Sequence, residues 1–275
     1  LWVLGDLHGE REKLRSLLGR SGLLNRTGGW GGANAVLVCV GDFVDRGPDG
    51  LGVIEFLMEL ERDAHARGGR VYCLLGNHEA LLLAARQFGD TWRDARGRSF
   101  LERWRLGGGQ TRDLVDLTPG LSAWLTRRPA VVRMGPYLFT HADSRMYLRH
   151  GRTLREVNHA FWNALHATQP EKWDVLVRDF AERGAFSGDD GAQKVGQLLA
   201  AYGGERLVHG HTPISYVLNV PPGDVKSPLL YAGGKCLNVD GGLAYHPDAG
   251  FIVRLGPQGV ERVVRLASEV PTPSS

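Results

Sequence analysis

Cysteine is scarce in this 275-residue chain: three residues, at positions 39, 73 and 236. The number is odd and the spacing wide, and Cys39 and Cys73 sit inside apolar, strand-like runs. That pattern excludes a disulfide framework and a thiolate zinc site, and leaves buried small hydrophobes. No run of eighteen apolar residues occurs, so no apolar membrane-spanning helix is expected. No secretory leader is legible, and a cytoplasmic location is expected. The chain opens on Leu1, already strand-like and without an initiator methionine, so residues preceding it are expected. Charge of one sign is not concentrated either. Against 33 Lys and Arg stand 30 Asp and Glu, a net charge of +3. The bases are interrupted by acids, which excludes a basic stripe with interleaved aromatics and hence nucleic acid as a partner. Internal repeats and long linkers are also missing. One domain spanning residues 1–275 is expected, with helical insertions at about 88–128 and 144–205.

Glycine is abundant instead, at 38 of 275 residues, about twice the usual ~7%. Many glycines flank short charged clusters, which suggests tight functional turns. The apolar run 35–40 reads as a buried strand that ends in Gly-Asp-Phe-Val-Asp-Arg-Gly-Pro, with Asp42, Asp45 and Arg46 inside five residues. Two similar units flank it. Leu1–Leu4 breaks at Gly5-Asp6-Leu7-His8-Gly9, and Val71–Leu75 breaks at Gly76-Asn77-His78-Glu79. Helices are expected after each, with Leu14, Leu17 and Leu18 and then Val53, Ile54, Leu57 and Leu60 at helical spacing. Three strand–loop–helix units predict a parallel sheet with right-handed crossovers. All three clusters then fall on one edge, where open α/β sheets bind ligands.

Segment 88–128 reads as a helical cap over that edge, its Arg and Trp scatter serving solvation and packing. Two further strand-like runs end at His141-Ala142-Asp143 and at His209-Gly210-His211. From residue 214 on, short β runs at 214–220, 228–231, 236–239, 243–245, 250–255 and 259–266 suggest a second, mostly antiparallel sheet. The proline-rich tail after Glu269 reads as frayed.

Five strand ends thus carry Asp6 with His8, Asp42, Asn77 with His78, His141, and His211. Oxygen and imidazole donors without thiolate suit Mn, Fe or Zn better than Ca. Asp6 and His8, two apart, point the same way on an extended segment, and Asp42 is placed to bridge two metals. A metal pair clamps attacking and leaving oxygens at phosphorus and acidifies a bridging water. His78 can protonate the leaving oxygen with Asp45 orienting it, and Arg46 can grip phosphate oxygens. Without a Cys or Ser nucleophile motif, no phosphoenzyme is implied. Of the remaining polar residues, His209 reads as structural, Asp240 as a turn residue, and Asp143 as either an orienter of His141 or a turn cap.

The three blocks Gly5–Gly9, Gly41–Gly47 and Gly76–Glu79, with His141 and Gly210-His211 following in order, resemble the phosphoprotein phosphatase family of calcineurin-like metallophosphoesterases. The Trp30 glycine loop and Leu74-Leu75 are closer to its bacterial Shelph branch. The resemblance covers residues 1–90 closely and 136–242 more loosely. It implies two mixed β-sheets sandwiched and flanked by helices, and two divalent metal ions, manganese first, iron or zinc otherwise. It implies Asp6, His8 and Asp42 on one metal, and Asp42, Asn77, His141 and His211 on the other. His78 would be the acid with Asp45 behind it, and Arg46 and Asn77 would meet phosphate. A second phosphate-binding arginine is expected between the fourth and fifth blocks; Arg145, Arg178 and Arg183 compete, and Arg183 is preferred. Leu75 stands where eukaryotic members have arginine, and Ala142 and Asp143 where related branches have two glycines. Pro213 stands where more distant relatives have a histidine, so water is expected to complete the first metal. The implied activity is hydrolysis of phosphomonoesters, of phosphorylated Ser, Thr or Tyr proteins or small phosphoesters. A dinucleoside polyphosphate phosphoesterase is the alternative, and a catalytically silent binding module comes third.

Overall fold

A computed structural model describes residues 1–266. The tail after Glu269 lies outside the described residues. The first three strands are β1 (Trp2–Leu4), β2 (Val36–Cys39) and β3 (Arg70–Cys73). They pair in parallel, as the three strand–loop–helix units require. Helices α1 (Arg11–Arg20), α2 (Gly50–Ala66) and α3 (Asn77–Phe88) follow them in turn. α1 buries Leu14, Leu17 and Leu18, and α2 buries Val53, Ile54, Leu57 and Leu60. The Asp49 side chain accepts from Gly52 N at 3.1 Å and so ends the turn after β2 as a helix N-cap.

The remaining strands are β4 (Val131–Met134), β5 (Tyr137–Thr140), β6 (Arg206–His209), β7 (Leu229–Tyr231), β8 (Cys236–Asn238), β9 (Phe251–Gly256) and β10 (Gly259–Arg265). They correct the reading of the C-terminal third. The late strands do not form one antiparallel sheet. β9 and β10 extend the first sheet, in order β10-β9-β1-β2-β3, while β7 and β8 join the second, in order β4-β5-β6-β8-β7. Within the second sheet β5, β6 and β8 are mutually parallel. Run 214–220 is a short helix over Ile214–Leu218, and 243–245 is a turn. Apolar runs of five to seven residues do not distinguish strand from helix, and the one at 214 starts directly after Pro213, a residue suited to a helix start.

Alternation along the strands assigns each face. Val3, Val38 and Val253 of the first sheet meet Phe139, Val208 and Leu237 of the second in a shared apolar layer. Leu4, Leu37 and Cys39 face the opposite way, onto α1 and α2. Segment 88–128 holds helices over Phe100–Leu106, Thr111–Asp116 and Pro119–Leu125. Segment 144–205 holds four more, the longest over Leu154–Leu165 and Gly191–Tyr202. No helix among the described residues is long and apolar enough to cross a membrane.

Candidate metal centre

Six parallel strands end at one place, because the two sheets pack with the carboxyl ends of β1, β2, β3, β5, β6 and β8 together. Backbone hydrogen bonds tie the loops that follow. Leu7 N and His8 N both donate to Asp42 O, at 2.9 and 2.8 Å, and Gly47 N donates to His8 O at 2.9 Å. Gly210 N donates to His141 O at 2.9 Å, and Val239 N to His209 O at 2.8 Å. The approach is close enough to demand glycine. A Cβ on Gly41 would stand 2.8 Å from Gly76 Cα and 2.9 Å from His141 Nδ1, and Gly41 has φ +111°. His8, Asp42, Asp45, Arg46 and His211 are themselves left-handed, with φ between +40° and +69°. Strain of that kind persists only where the surroundings over-determine the backbone. It also corrects the expected geometry of the first block. Asp6 and His8 converge through a turn rather than along an extended segment, with His8 Nε2 3.9 Å from Asp6 Oδ2.

His141, Asn77, His211 and Asp42 form the first cluster. His141 Nδ1–H donates to Val40 O at 3.0 Å, which leaves the Nε2 lone pair free. That lone pair faces Asn77 Oδ1 at 2.9 Å, His211 Nδ1 at 3.1 Å and Asp42 Oδ1 at 3.3 Å. Acceptors gathered this closely have few protons to share. Such a set fits a cation that takes a lone pair from each. Asp42, His141 and His211 are all buried, with ligand atoms within 4.8 Å of one another.

The second cluster turns on two histidines. His8 Nε2 is 3.8 Å and His78 Nε2 3.9 Å from Asp42 Oδ2, so distance does not separate ligand from acid. The far ring nitrogens do. His8 Nδ1 donates to the neutral carbonyl of Val44 at 2.9 Å, so the ring stays neutral and its Nε2 is free to ligate. His78 Nδ1 meets the Asp45 carboxylate at 2.6 Å, a partner that favours imidazolium. Burial, together with the neighbouring His78, holds His8 well below the usual imidazole range. Burial also opposes charge on His78, but Asp42 and the Asp45 hydrogen bond outweigh it and its pKa stands above the ordinary value. Arg46 donates to His8 Nε2 and, at 3.0 Å, meets His78 Nε2. A cationic group therefore already faces the His8 lone pair.

Arg183 is exposed, with Nε 3.5 Å from Ala181 O, and its charge is felt at His211, whose pKa burial and then His141 push well down. Its competitors point elsewhere. Arg145 donates to Gln197 at 2.9 Å, and Arg178 pairs with Asp174 at 2.9 Å on the same helix face. His209 does not share a face with His211, because His211 is left-handed. His209 Nε2 meets Tyr231 OH at 2.8 Å instead. Asp143 neither orients His141 nor caps a turn of its own. It accepts from Tyr231 OH at 3.0 Å and from Gly184 N at 2.9 Å, and so anchors the loop that carries Arg183.

Three residues of the site were not read from the sequence. Glu79 accepts from Gly76 N, Asp42 N, Phe43 N and Val44 N at 2.6–3.2 Å, clamping the turn after β2 to the start of α3. Tyr245 OH accepts from Arg46 Nη1, and its ring lies under the guanidinium, whose Cζ is 5.4 Å from the ring centroid. Trp104 Nε1 donates to Asp45 Oδ1 at 2.8 Å, from a fully buried ring 59 residues along the chain. No local signal marks Trp104 or Tyr245, since each acts through a loop far off in sequence. Trp104→Phe keeps the aromatic packing and deletes the donor to a buried carboxylate. Denaturant unfolding should show a loss of about 1.5–3 kcal/mol; unchanged stability would mean that the indole contributes only its apolar faces.

The family model described as calcineurin-like phosphoesterase matches residues 1–215. Shewanella-like protein phosphatase 2 of Arabidopsis thaliana is 40% identical over 81 residues, covering 30% of this chain and 21% of the relative. The symmetrical bis(5'-nucleosyl)-tetraphosphatase of Ralstonia nicotianae is 30% identical over 185 residues, covering 62% of this chain and 55% of the relative. This chain therefore aligns with about a fifth of the first relative's length and about half of the second's. Among solved structures, the cold-active protein-tyrosine phosphatase of a psychrophilic Shewanella superposes with a TM-score of 0.73 at 21% identity, covering 97% of this chain and 80% of that one. That likeness is one of fold.

Proposed function

The chain belongs to the calcineurin-like phosphoesterase family, and on that footing we propose that it hydrolyses phosphomonoesters of phosphorylated proteins, on serine, threonine or tyrosine. One observation carries the reading: a buried imidazole paired with a buried carboxylate, His78 Nδ1 on Asp45 at 2.6 Å, stands beside Asp42, the carboxylate common to both donor clusters. Asp6, His8 and Asp42 would hold one divalent ion, and Asp42, Asn77, His141 and His211 a second. Manganese is the first choice, with iron or zinc as alternatives, because the donors are imidazole and oxygen without sulfur. Such a pair, when bound, neutralises phosphoryl charge and makes water a competent nucleophile near neutral pH.

The chain's own groups supply the rest. Arg46, steadied by Tyr245, presents two guanidinium nitrogens at the mouth of the site and orients the non-bridging phosphate oxygens. Asn77 and Arg183 would add further donors to the same phosphate. His78 Nε2–H donates its proton to the departing alkoxide or phenoxide, and Asp45 stabilises the imidazolium until then. Asp45 is itself held in place by Trp104 Nε1.

The second reading is a dinucleoside polyphosphate hydrolase, favoured by the longer alignment with the tetraphosphatase. Parallel kinetics on a phosphoserine peptide, a phosphotyrosine peptide and diadenosine tetraphosphate, with added Mn²⁺ and with chelator, separate the two. The proposal expects peptide turnover that chelator abolishes and Mn²⁺ restores. A higher kcat/KM for the dinucleotide would move the assignment to the second reading. Turnover of none of the three would leave a binding module.

A further inference from the structure

Asp240 follows β8, the sixth parallel strand whose end meets the site, and is 1% exposed. Its backbone is fully engaged. Asp240 N donates to Asn238 Oδ1 at 2.8 Å, and Asp240 O accepts from Ile214 N at 3.0 Å. Gly5 packs against it so closely that a Cβ there would lie 2.9 Å from Asp240 Cα. One carboxylate oxygen, Oδ1, accepts from Gly242 N at 3.0 Å and makes the turn expected of this residue. The other, Oδ2, is buried without any hydrogen-bond partner.

A buried carboxylate oxygen without a donor is costly, and Asp240 packs against Gly5, the residue preceding a second buried carboxylate, Asp6, which feels its charge. Asp6 is already tied to the β6 loop, since His211 N donates to both its oxygens at 3.0 and 3.1 Å. Packing two buried acids together disfavours folding unless a positive charge lies between or beside them. The two ion sites are also unequal in protein donors: Asp6, His8 and Asp42 for one, Asp42, Asn77, His141 and His211 for the other.

Resting on the two-ion reading above, we propose that Asp240 is a further positioning residue of the ion held by Asp6, His8 and Asp42, its Oδ2 accepting a hydrogen bond from water on that ion. Its carboxylate adds the negative charge and the acceptor that the three-donor site lacks, and Gly242 and Gly5 hold it in register.

Isothermal titration of the metal-free chain with Mn²⁺, together with melting curves with and without Mn²⁺, tests this on Asp240→Asn. Asparagine keeps the Gly242 acceptor and replaces the unpartnered Oδ2 by an amide donor. Wild type should bind two ions. The variant should bind one as wild type does and the other about ten- to a hundredfold more weakly. Its metal-free form should melt no lower than wild type, since a like charge has gone, while the Mn²⁺-induced rise in Tm should shrink. His211→Ala should weaken the other ion instead. Two wild-type affinities in Asp240→Asn overturn the proposal, and so does a lower metal-free Tm with an undiminished Mn²⁺-induced rise, the mark of a turn residue alone. A wild type that binds fewer than two ions removes the two-ion reading itself, and is seen before any variant is made.

Discussion

Asp42→Asn should cost this protein both of its ions at once. Asp42 is the one carboxylate shared by the two donor clusters, with Oδ1 3.3 Å from His141 Nε2 and Oδ2 3.8 Å from His8 Nε2. Loss of a group that merely supports a ligand weakens binding about ten- to a hundredfold, so loss of a ligand common to two ions should exceed that for each. Activity on any phosphoester should fall to the metal-free background. The fold should survive. Asparagine can still accept from His78 N, as Asp42 Oδ1 does at 3.0 Å, and Glu79 holds the turn through backbone donors that the substitution leaves alone. Metal content by elemental analysis and a cooperative melt of the metal-free variant check both halves. Retention of either ion at wild-type affinity would show that Asp42 is not shared.

His78→Asn should separate substrates by their leaving groups. On a phosphoserine peptide, whose alkoxide needs a proton to depart, kcat should fall by about 10²–10⁴-fold. On nitrophenyl phosphate, whose phenolate leaves unprotonated, the loss should be much smaller. Metal content should stay at the wild-type value, because the substitution leaves Asp6, His8 and Asp42 in place. The wild-type pH profile carries the same signature. An acid must be protonated to act, so kcat on the peptide falls as pH rises through the His78 pKa. Burial works against the imidazolium, Asp42 and Asp45 work for it, and the net shift is upward. The alkaline limb should therefore lie above the ordinary imidazole value of about 6.5. Asp45→Asn removes one of the two groups that raise it and should move the limb to lower pH. Equal losses on both substrates, or a limb that ignores Asp45, would take the acid role away from His78.

The strand ends were legible in the sequence because of what surrounds them. A buried strand is a continuous apolar run, and a break into Gly-Asp or Gly-Asn-His stands out against it. Three such breaks at the ends of strand–loop–helix units must share a sheet edge, since a right-handed crossover returns each parallel strand in the same direction. That argument placed Asp6, His8, Asp42, Asn77 and His78 together from local pattern alone. It reached His141 and His211 by the same rule, and would have reached Asp240, whose apolar run ends in Asp-Gly-Gly, had the run at 236–239 been assigned to the parallel set.

The sheet that each late strand joins was decided only by tertiary packing. The runs at 229–231 and 236–238 pair with each other, and the second of them with β6; those at 251–256 and 259–265 pair with each other, and the first of them with β1, and no local pattern names the partner sheet. The difference between His8 and His78 arises there too. Both are histidines within 4 Å of Asp42 Oδ2, and they differ in the partner on the far nitrogen, a carbonyl for His8 and a carboxylate for His78, on which the proposed roles of ligand and acid rest. Trp104, Tyr245 and Asp143 belong with them, because each acts across at least 40 residues of chain. Sequence by itself determined which chemistry collects at the sheet edge, through periodicity and punctuation that are local properties. The folded chain determined which partner each ring nitrogen and carboxylate meets, because that depends on hydrogen bonds between segments that only packing brings together.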